Sequence, residues 1–205
     1  YQDYVTWQRD LLATRGDELR RAWMEELKDA PLVLDLPTDH PRPPVQTFRG
    51  ATVQREVAAT LAGGLRAFAR ARSTTLQTVF LAGFQVLLHR LSGQEDLCIG
   101  SAAASRMEEE LSGIPGHMVN HVVLRSQISA ADPPDFLSLL ARTHERMLAT
   151  LDRQEYPFLW LAKDLLAQRD PGRPLLVQVG YDHMNLDLFG SAGRRDVAGA
   201  TLQTG

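Results

Sequence analysis

The sequence predicts an α/β fold, and the prediction rests on three observations. Several segments repeat apolar residues at three- and four-residue spacing, short apolar runs stand between them, and no segment repeats another. The predicted order is helix, strand, helix, helix, strand, strand, helix, helix, strand. Helices separate most of the strands, which favours a sheet with helical cover.

The chain opens Tyr1-Gln2-Asp3-Tyr4-Val5-Thr6-Trp7-Gln8, with aromatic residues where termini are usually loose and polar. From this we expect the chain to be part of a longer domain. Asp17 to Ala30 sets Leu19, Trp23 and Leu27 four apart, a helix with one apolar stripe. Five prolines between Pro31 and Pro44 make an extended connector that cannot pair centrally in a sheet. Ala51, Val53, Arg55 and Val57 alternate with polar neighbours and predict a short strand. Leu61, Leu65, Phe68 and Ala69 predict a helix that Gly63 and Gly64 weaken. A stronger helix runs from about Thr75 to Leu91 and stops at Ser92-Gly93; it is apolar nearly all round and is expected to be buried.

Asp96 to Ala104 predicts a buried strand in which Leu97, Cys98 and Ile99 give way to small residues, leaving room for something to pass close to the backbone. A loop over Ser105 to Pro115 carries Arg106 and the solvated run Glu108-Glu109-Glu110, and Val119, Val122, Val123 and Leu124 mark a second strand. Asp132-Pro133-Pro134 predicts a helix start, with Phe136, Leu139, Leu140, Met147 and Leu151 on the helix. A further helix near Pro157 to Ala167 ends before Arg169-Asp170-Pro171-Gly172, and Leu175 to Val179 predicts a last strand. The Gly- and Arg-rich tail from Gly190 shows no period.

Composition limits the function classes. With 205 residues and 44% apolar content the chain can bury a sizeable core, as one domain or one lobe of a larger one. A net charge of −3 gives no footprint for nucleic acid or a membrane surface. The longest apolar stretch, Val79 to Leu88, is too short to span a bilayer. All the basic residues except Lys28 and Lys163 are arginine, but they are scattered rather than clustered. A lone Cys98 cannot form an internal disulfide, which suits a cytoplasmic location.

Individual candidates for chemistry are weak. His117 and His121, four apart in a Val-rich extended run, stand too far apart to share one ion, so no metal site is expected. Asp182 and His183 are neighbours near a predicted strand end and point to opposite faces; solvated polar residues are the simpler account. Cys98, without a basic neighbour in an apolar strand, is a small core residue rather than a nucleophile. There is no Gly-rich phosphate loop and no nucleophile elbow. On the residues alone the reading stops at an α/β lobe.

Several segments in register go further. Tyr1 to Gln8 resembles a signature of the condensation domains of nonribosomal peptide synthetases. Ile114-Pro115-Gly116-His117-Met118-Val119-Asn120-His121-Val122-Val123-Leu124-Arg125 resembles the family's IGxFVNTxxLR segment. Arg153-Gln154-Glu155-Tyr156-Pro157-Phe158 resembles HQDxPFE, and Arg169-Asp170-Pro171-Gly172-Arg173-Pro174-Leu175 resembles RDxSRxPL. Leu36 to Pro43 and Leu91 to Asp96 are also typical. Each piece alone is weak; together they cover nearly the whole chain in the family's order.

The resemblance implies a chloramphenicol acetyltransferase-like fold, two similar lobes meeting around a tunnel, of which this chain over 1–205 is mostly the C-terminal lobe. It implies an acyltransferase reaction in which an acceptor amine attacks a donor thioester and an amide forms. No cofactor is bound directly; 4′-phosphopantetheine arrives on donor and acceptor carrier proteins. The other implied partners are the N-terminal lobe and neighbouring adenylation or other synthetase domains. The family's HHxxxDG segment belongs upstream of the Trp7 signature, and no adjacent pair of histidines occurs in this sequence. The chain by itself is therefore expected to be inactive and to aggregate or pair through its exposed lobe interface.

By the same resemblance Asn120, Gly116, His117 and Met118 line the substrate tunnel. Trp7, Tyr4, Arg106, Pro157, Phe158, Arg169 and Asp170 hold structure or the lobe interface. For Asn120, a contact to substrate and a tie between structural segments are both open. Two departures stand out: His117 replaces a usual aromatic and His121 a usual Thr or Pro, which changes the polarity of the tunnel wall. A docking module of condensation type without catalysis and the related epimerization domain are the rival readings.

Overall fold

The computed structural model describes residues 1–104, 116–166 and 170–184, with the elements α1 (Gln2–Glu26), α2 (Ala59–Ala71), α3 (Leu76–Ser92), β1 (Asp96–Ala104), β2 (Val119–Gln127), α4 (Phe136–Leu151) and α5 (Phe158–Leu165). The loop from Ser105, with Arg106, and the tail from Gly190 lie outside the described residues, as does Arg169.

The two strands form one antiparallel ladder in which Asp96 faces Gln127, Gly100 faces Val123 and Ala104 faces Val119. Alternation along the strands sorts their side chains between two cores. Leu97, Ile99 and Leu124 join Leu81 and Leu88 of α3 and Met147 of α4. Cys98 and Val123 join Leu19 and Trp23 of α1 and Leu161 of α5. Leu97 and Ile99 are completely buried, each stabilising the fold by about 2 kcal/mol. Helices thus cover the hairpin from both sides.

Five sequence expectations are corrected. The first helix begins at Gln2, not Asp17: Tyr4, Leu11, Leu19 and Trp23 lie along one helical stripe, and the aromatic start is its first two turns. Ala51 to Val57 forms no strand, and Val53 is 78% exposed; among the described residues its alternation has no neighbouring strand to pair with. Helix α4 is capped by Asp135 rather than Asp132, because Asp135 Oδ1 accepts from the backbone N–H groups of Leu137 and Ser138 at 2.9 and 3.0 Å. Helix α3 is not buried all round: Thr75 caps it and Gly93 closes it in the left-handed conformation, but Phe80, Leu87 and Leu91 remain exposed along one side.

Leu175 to Val179 is not a strand either, yet it runs beside β1. Gly100 N–H donates to Val179 O at 2.9 Å and Tyr181 N–H donates to Gly100 O at 2.8 Å, making a single parallel bridge. Gly100 is required there, since a Cβ would lie 2.7 Å from Val177 Cγ2.

The Pro-rich connector is held by side chains that imitate strands. Gln178 accepts from Leu34 N–H at 2.7 Å and donates to Leu32 O at 3.0 Å. Gln94 accepts from Asp35 N–H at 2.7 Å and donates to Val33 O at 3.0 Å. Each amide supplies one donor and one acceptor, as a ladder neighbour would. No helix among the described residues is long and apolar enough to cross a membrane.

Candidate functional site

Three of the segments singled out in the sequence, the opening aromatics, the start of β2 from Gly116 and the turn before Phe158, converge where β2 begins. Tyr1, Tyr4 and Trp7 project from successive turns at the start of α1. Their rings stand 5.8 Å apart in each consecutive pair, tilted for Tyr1–Tyr4 and stacked for Tyr4–Trp7. Met118, 1% exposed, packs with Tyr4 and Trp7. Tyr1 Oη donates to His117 O at 3.3 Å. Gly116 passes against the Tyr1 ring so closely that a Cβ would lie 2.8 Å from Cε2. A short, aromatic-backed turn therefore feeds the chain into β2.

Asn120 stands next along the strand. Its Nδ2 donates to Gln154 O and Tyr156 O, both at 2.7 Å, and its Oδ1 accepts from Phe158 N–H at 3.1 Å. Both amide protons are taken by the turn before α5. The structure thus brings Asn120 together with Pro157 and Phe158, with Pro157 as the N-cap of α5. His121, the next residue, meets the Phe158 ring edge-on at 5.7 Å and 67°.

Register places Ala102 opposite His121 and Ala104 opposite Val119, so these four share one face of the hairpin. All four are exposed, whereas Ser101, Ala103 and Val122 between them are buried. At the edge of that face Asp182 Oδ1 accepts from Ala102 N–H at 2.7 Å and from Ser101 Oγ at 3.4 Å. Asp182 is thus a support for the end of β1, and His183 follows it in the exposed segment.

Asp170 is engaged elsewhere. Its Oδ1 accepts from Gly172 N–H at 2.8 Å and its carboxylate pairs with Arg173 at 3.3 Å. Gly172 lies against the connector, where a Cβ would be 2.8 Å from Pro43 O. Cys98 is buried, and loss of solvation, followed by the Asp96 charge, pushes its thiol up to about 12. It is a protonated core residue. Among the described residues no group of three or more His, Cys, Asp and Glu side chains could hold a metal ion.

Arg125, four residues along β2 from His121, ties the ladder to the end of α1 and was not picked out by sequence reasoning. Its guanidinium binds Asp96 in a fork, with Nη2 to Oδ2 at 2.6 Å and Nε to Oδ1 at 3.0 Å. Nη1 reaches Glu26 O at 2.7 Å and Lys28 O at 3.0 Å, closing the end of α1. The hydrogen bond to Asp96 raises the Arg125 pKa still further, so the guanidinium stays charged. The sequence did carry a signal, an arginine ending the second signature, but only the strand register shows what it meets.

A second bonded set fixes α5 on α1. Arg20 forks onto Asp164 at 2.9 and 3.2 Å, and Tyr156 Oη donates to Asp164 at 2.8 Å. Burial and the hydrogen bond to Asp164 push the Tyr156 phenol up to about 12, while the Arg20 hydrogen bond holds the Asp164 carboxyl below its ordinary value.

Known proteins are similar to this chain in sequence and in fold. The family model described as Condensation domain matches residues 1–188. Phosphinothricin tripeptide synthetase PhsB of Streptomyces viridochromogenes is 38% identical over 179 residues, 87% of this chain and 15% of that protein. A linear gramicidin synthase of Brevibacillus parabrevis is 35% identical over 91% of this chain and 4% of its own length. The chain thus spans only a small part of the curated relatives it matches. Among solved structures, the four-domain nonribosomal peptide synthetase holo-AB3403 superposes with a TM-score of 0.79 at 30% identity, over 85% of this chain and 13% of that one. The X-domain from teicoplanin biosynthesis shares the fold, with a TM-score of 0.77 at 23% identity over 87% of this chain and 40% of its own. The fold, the converging signatures and the family match lead to one conclusion: the chain belongs to the condensation-domain family of nonribosomal peptide synthetases.

Proposed function

We propose that this chain supplies one wall of the channel in which a condensation domain joins two carrier-bound units. The observation that carries the proposal is the convergence of Tyr4, Trp7, Met118, Asn120 and Phe158 beside an exposed hairpin face of Ala102, Ala104, Val119 and His121. Small side chains on that face let an extended pantetheine-linked chain run close to the backbone.

In the reaction an acceptor amine nitrogen attacks the donor thioester carbonyl carbon. The carbon–nitrogen bond forms, the carbon–sulfur bond breaks, and the proton lost from nitrogen is matched by the proton gained by the leaving carrier thiol. The residues of this chain position the reactants and keep water out; the histidines that handle the amine proton belong to the lobe that pairs with this one. Holding two reactants in line supplies much of the acceleration in such a transfer. Asn120 keeps the turn carrying Phe158 in place, and Gly116 and Met118 shape the approach. Tyr4, Trp7, Pro157 and Asp170 hold the frame, with His117 at its rim.

The test uses the synthetase module that contains this chain, with donor and acceptor carriers loaded with their units. Amide product on the acceptor carrier, followed by intact-protein mass spectrometry, is the expected outcome. Loaded carriers that stay unchanged for hours in the presence of the module would sink the reading and favour a docking module.

A further inference from the structure

The exposed hairpin face carries one side chain unlike the rest. Three of its four residues, Ala102, Ala104 and Val119, are apolar and at most three heavy atoms tall; His121 is larger, polar and able both to donate and to accept a hydrogen bond. Its position is not incidental. The imidazole rests edge-on against Phe158 at 5.7 Å. Phe158 is fixed by the Asn120 amide, which also grips Gln154 O and Tyr156 O. Opposite, the backbone of Ala102 is fixed by Asp182 at 2.7 Å. A polar ring on a braced support, facing a patch of alanine, is preorganised to meet a group that passes over that patch.

We propose that His121 is a specificity-determining residue, selecting carrier-bound aminoacyl units whose side chains can hydrogen-bond, over aliphatic units of the same shape. The inference rests on the channel-wall reading above. A purely aliphatic unit pressed onto this face strips water from the imidazole without replacing its hydrogen bonds, whereas a hydroxyl or carboxamide replaces them. Sites that hydrogen-bond a substrate group discriminate against analogues lacking it far better than apolar pockets discriminate by size. The alanines give way to side chains of either kind, so discrimination falls to the imidazole.

The experiment compares threonyl with valyl and asparaginyl with leucyl units, loaded in turn on the donor and on the acceptor carrier, in the intact module. The wild-type module is expected to prefer the polar member of each pair by ~10- to 100-fold in kcat/KM at one of the two carriers. His121→Phe, which keeps the contact with the Phe158 ring, should erase the ratio by slowing the polar unit much more than the aliphatic one. His121→Gln, which keeps a donor and an acceptor, should restore much of the ratio. Equal polar-to-aliphatic ratios in wild type and His121→Phe, with amide forming in both, would overturn the inference while leaving the channel-wall reading intact. No amide from wild type with any unit would overturn both.

Discussion

Between Leu97 and Gly100 the β1–β2 hairpin is closed on both faces, whereas from Ala102 to Ala104 one face stands open to solvent. The same ladder and the same strands serve both halves. In the closed half Leu97 and Ile99 on one side and Cys98 on the other are pinned between α3 and α4 and between α1 and α5. In the open half the buried residues Ala103 and Val122 alternate with exposed Ala102 and His121. One half is therefore core and the other is surface held to the precision of a core. A rigid element that ends in an uncovered face is a suitable place for a binding site, because its side chains are positioned before any ligand arrives.

Breaking the closed half should cost most. Arg125→Ala removes the fork to Asp96 and uncovers Glu26 O and Lys28 O, and is expected to lower stability by ~3 kcal/mol in urea unfolding. A loss below ~1 kcal/mol would mean that water replaces those bonds freely. The boundary between the halves comes next. Asn120→Ala leaves Gln154 O, Tyr156 O and Phe158 N–H without their partner and should cost ~2 kcal/mol, with a larger fractional loss of amide formation than of stability. An unfolding midpoint unchanged from wild type would show that the turn before α5 holds without the amide.

A third prediction sharpens the contrast through pH. Tyr156 and Tyr181 are both pushed up to about 12, chiefly by burial, and Cys98 likewise to about 12. Each group holds its proton more tightly folded than unfolded. The stability this brings is present in full below the unfolded values and is lost as pH rises from ~9 or 10 towards 12. Tyr156→Phe should flatten part of that decline in an unfolding series, and an identical slope would exclude Tyr156 as a contributor. Asp164 works in the opposite sense: its lowered pKa brings stability that is present above the ordinary carboxylate value and disappears as pH falls through the folded one. The smallest effect belongs to the open half. Val119→Thr, at 42% exposure, should change stability by less than ~0.5 kcal/mol; a substantial loss would show that this face is covered in the free protein.

Much of the frame was legible. The bounds of β1, the stop of α3 at Gly93 and the helix after Pro157 follow from local signals: an apolar run ending in small residues, a left-handed glycine, and a proline at a helix start. The site was legible only as a set of separate motifs. Nothing in the spacing of Gly116 or Trp7 says that they lie within one aromatic cluster, and nothing beside Asn120 says that its amide is spent on residues 154 to 158. Such contacts join segments more than thirty residues apart, and distance along a chain carries no record of them. The misread strands fail for a related reason. Val53 and Val57 alternate correctly but find no neighbour, and Leu175 to Val179 finds β1 for only one bridge.

The sequence by itself determined most of the helices and both strands of the ladder, because periodicity, caps and glycines act within a few residues. It also determined the family, through signatures in a set order. The tertiary structure alone decided which half of the hairpin is covered, which amide is a brace and which imidazole is exposed. Those outcomes depend on which distant surfaces exclude water from one another, and burial belongs to the packed whole rather than to any segment of it.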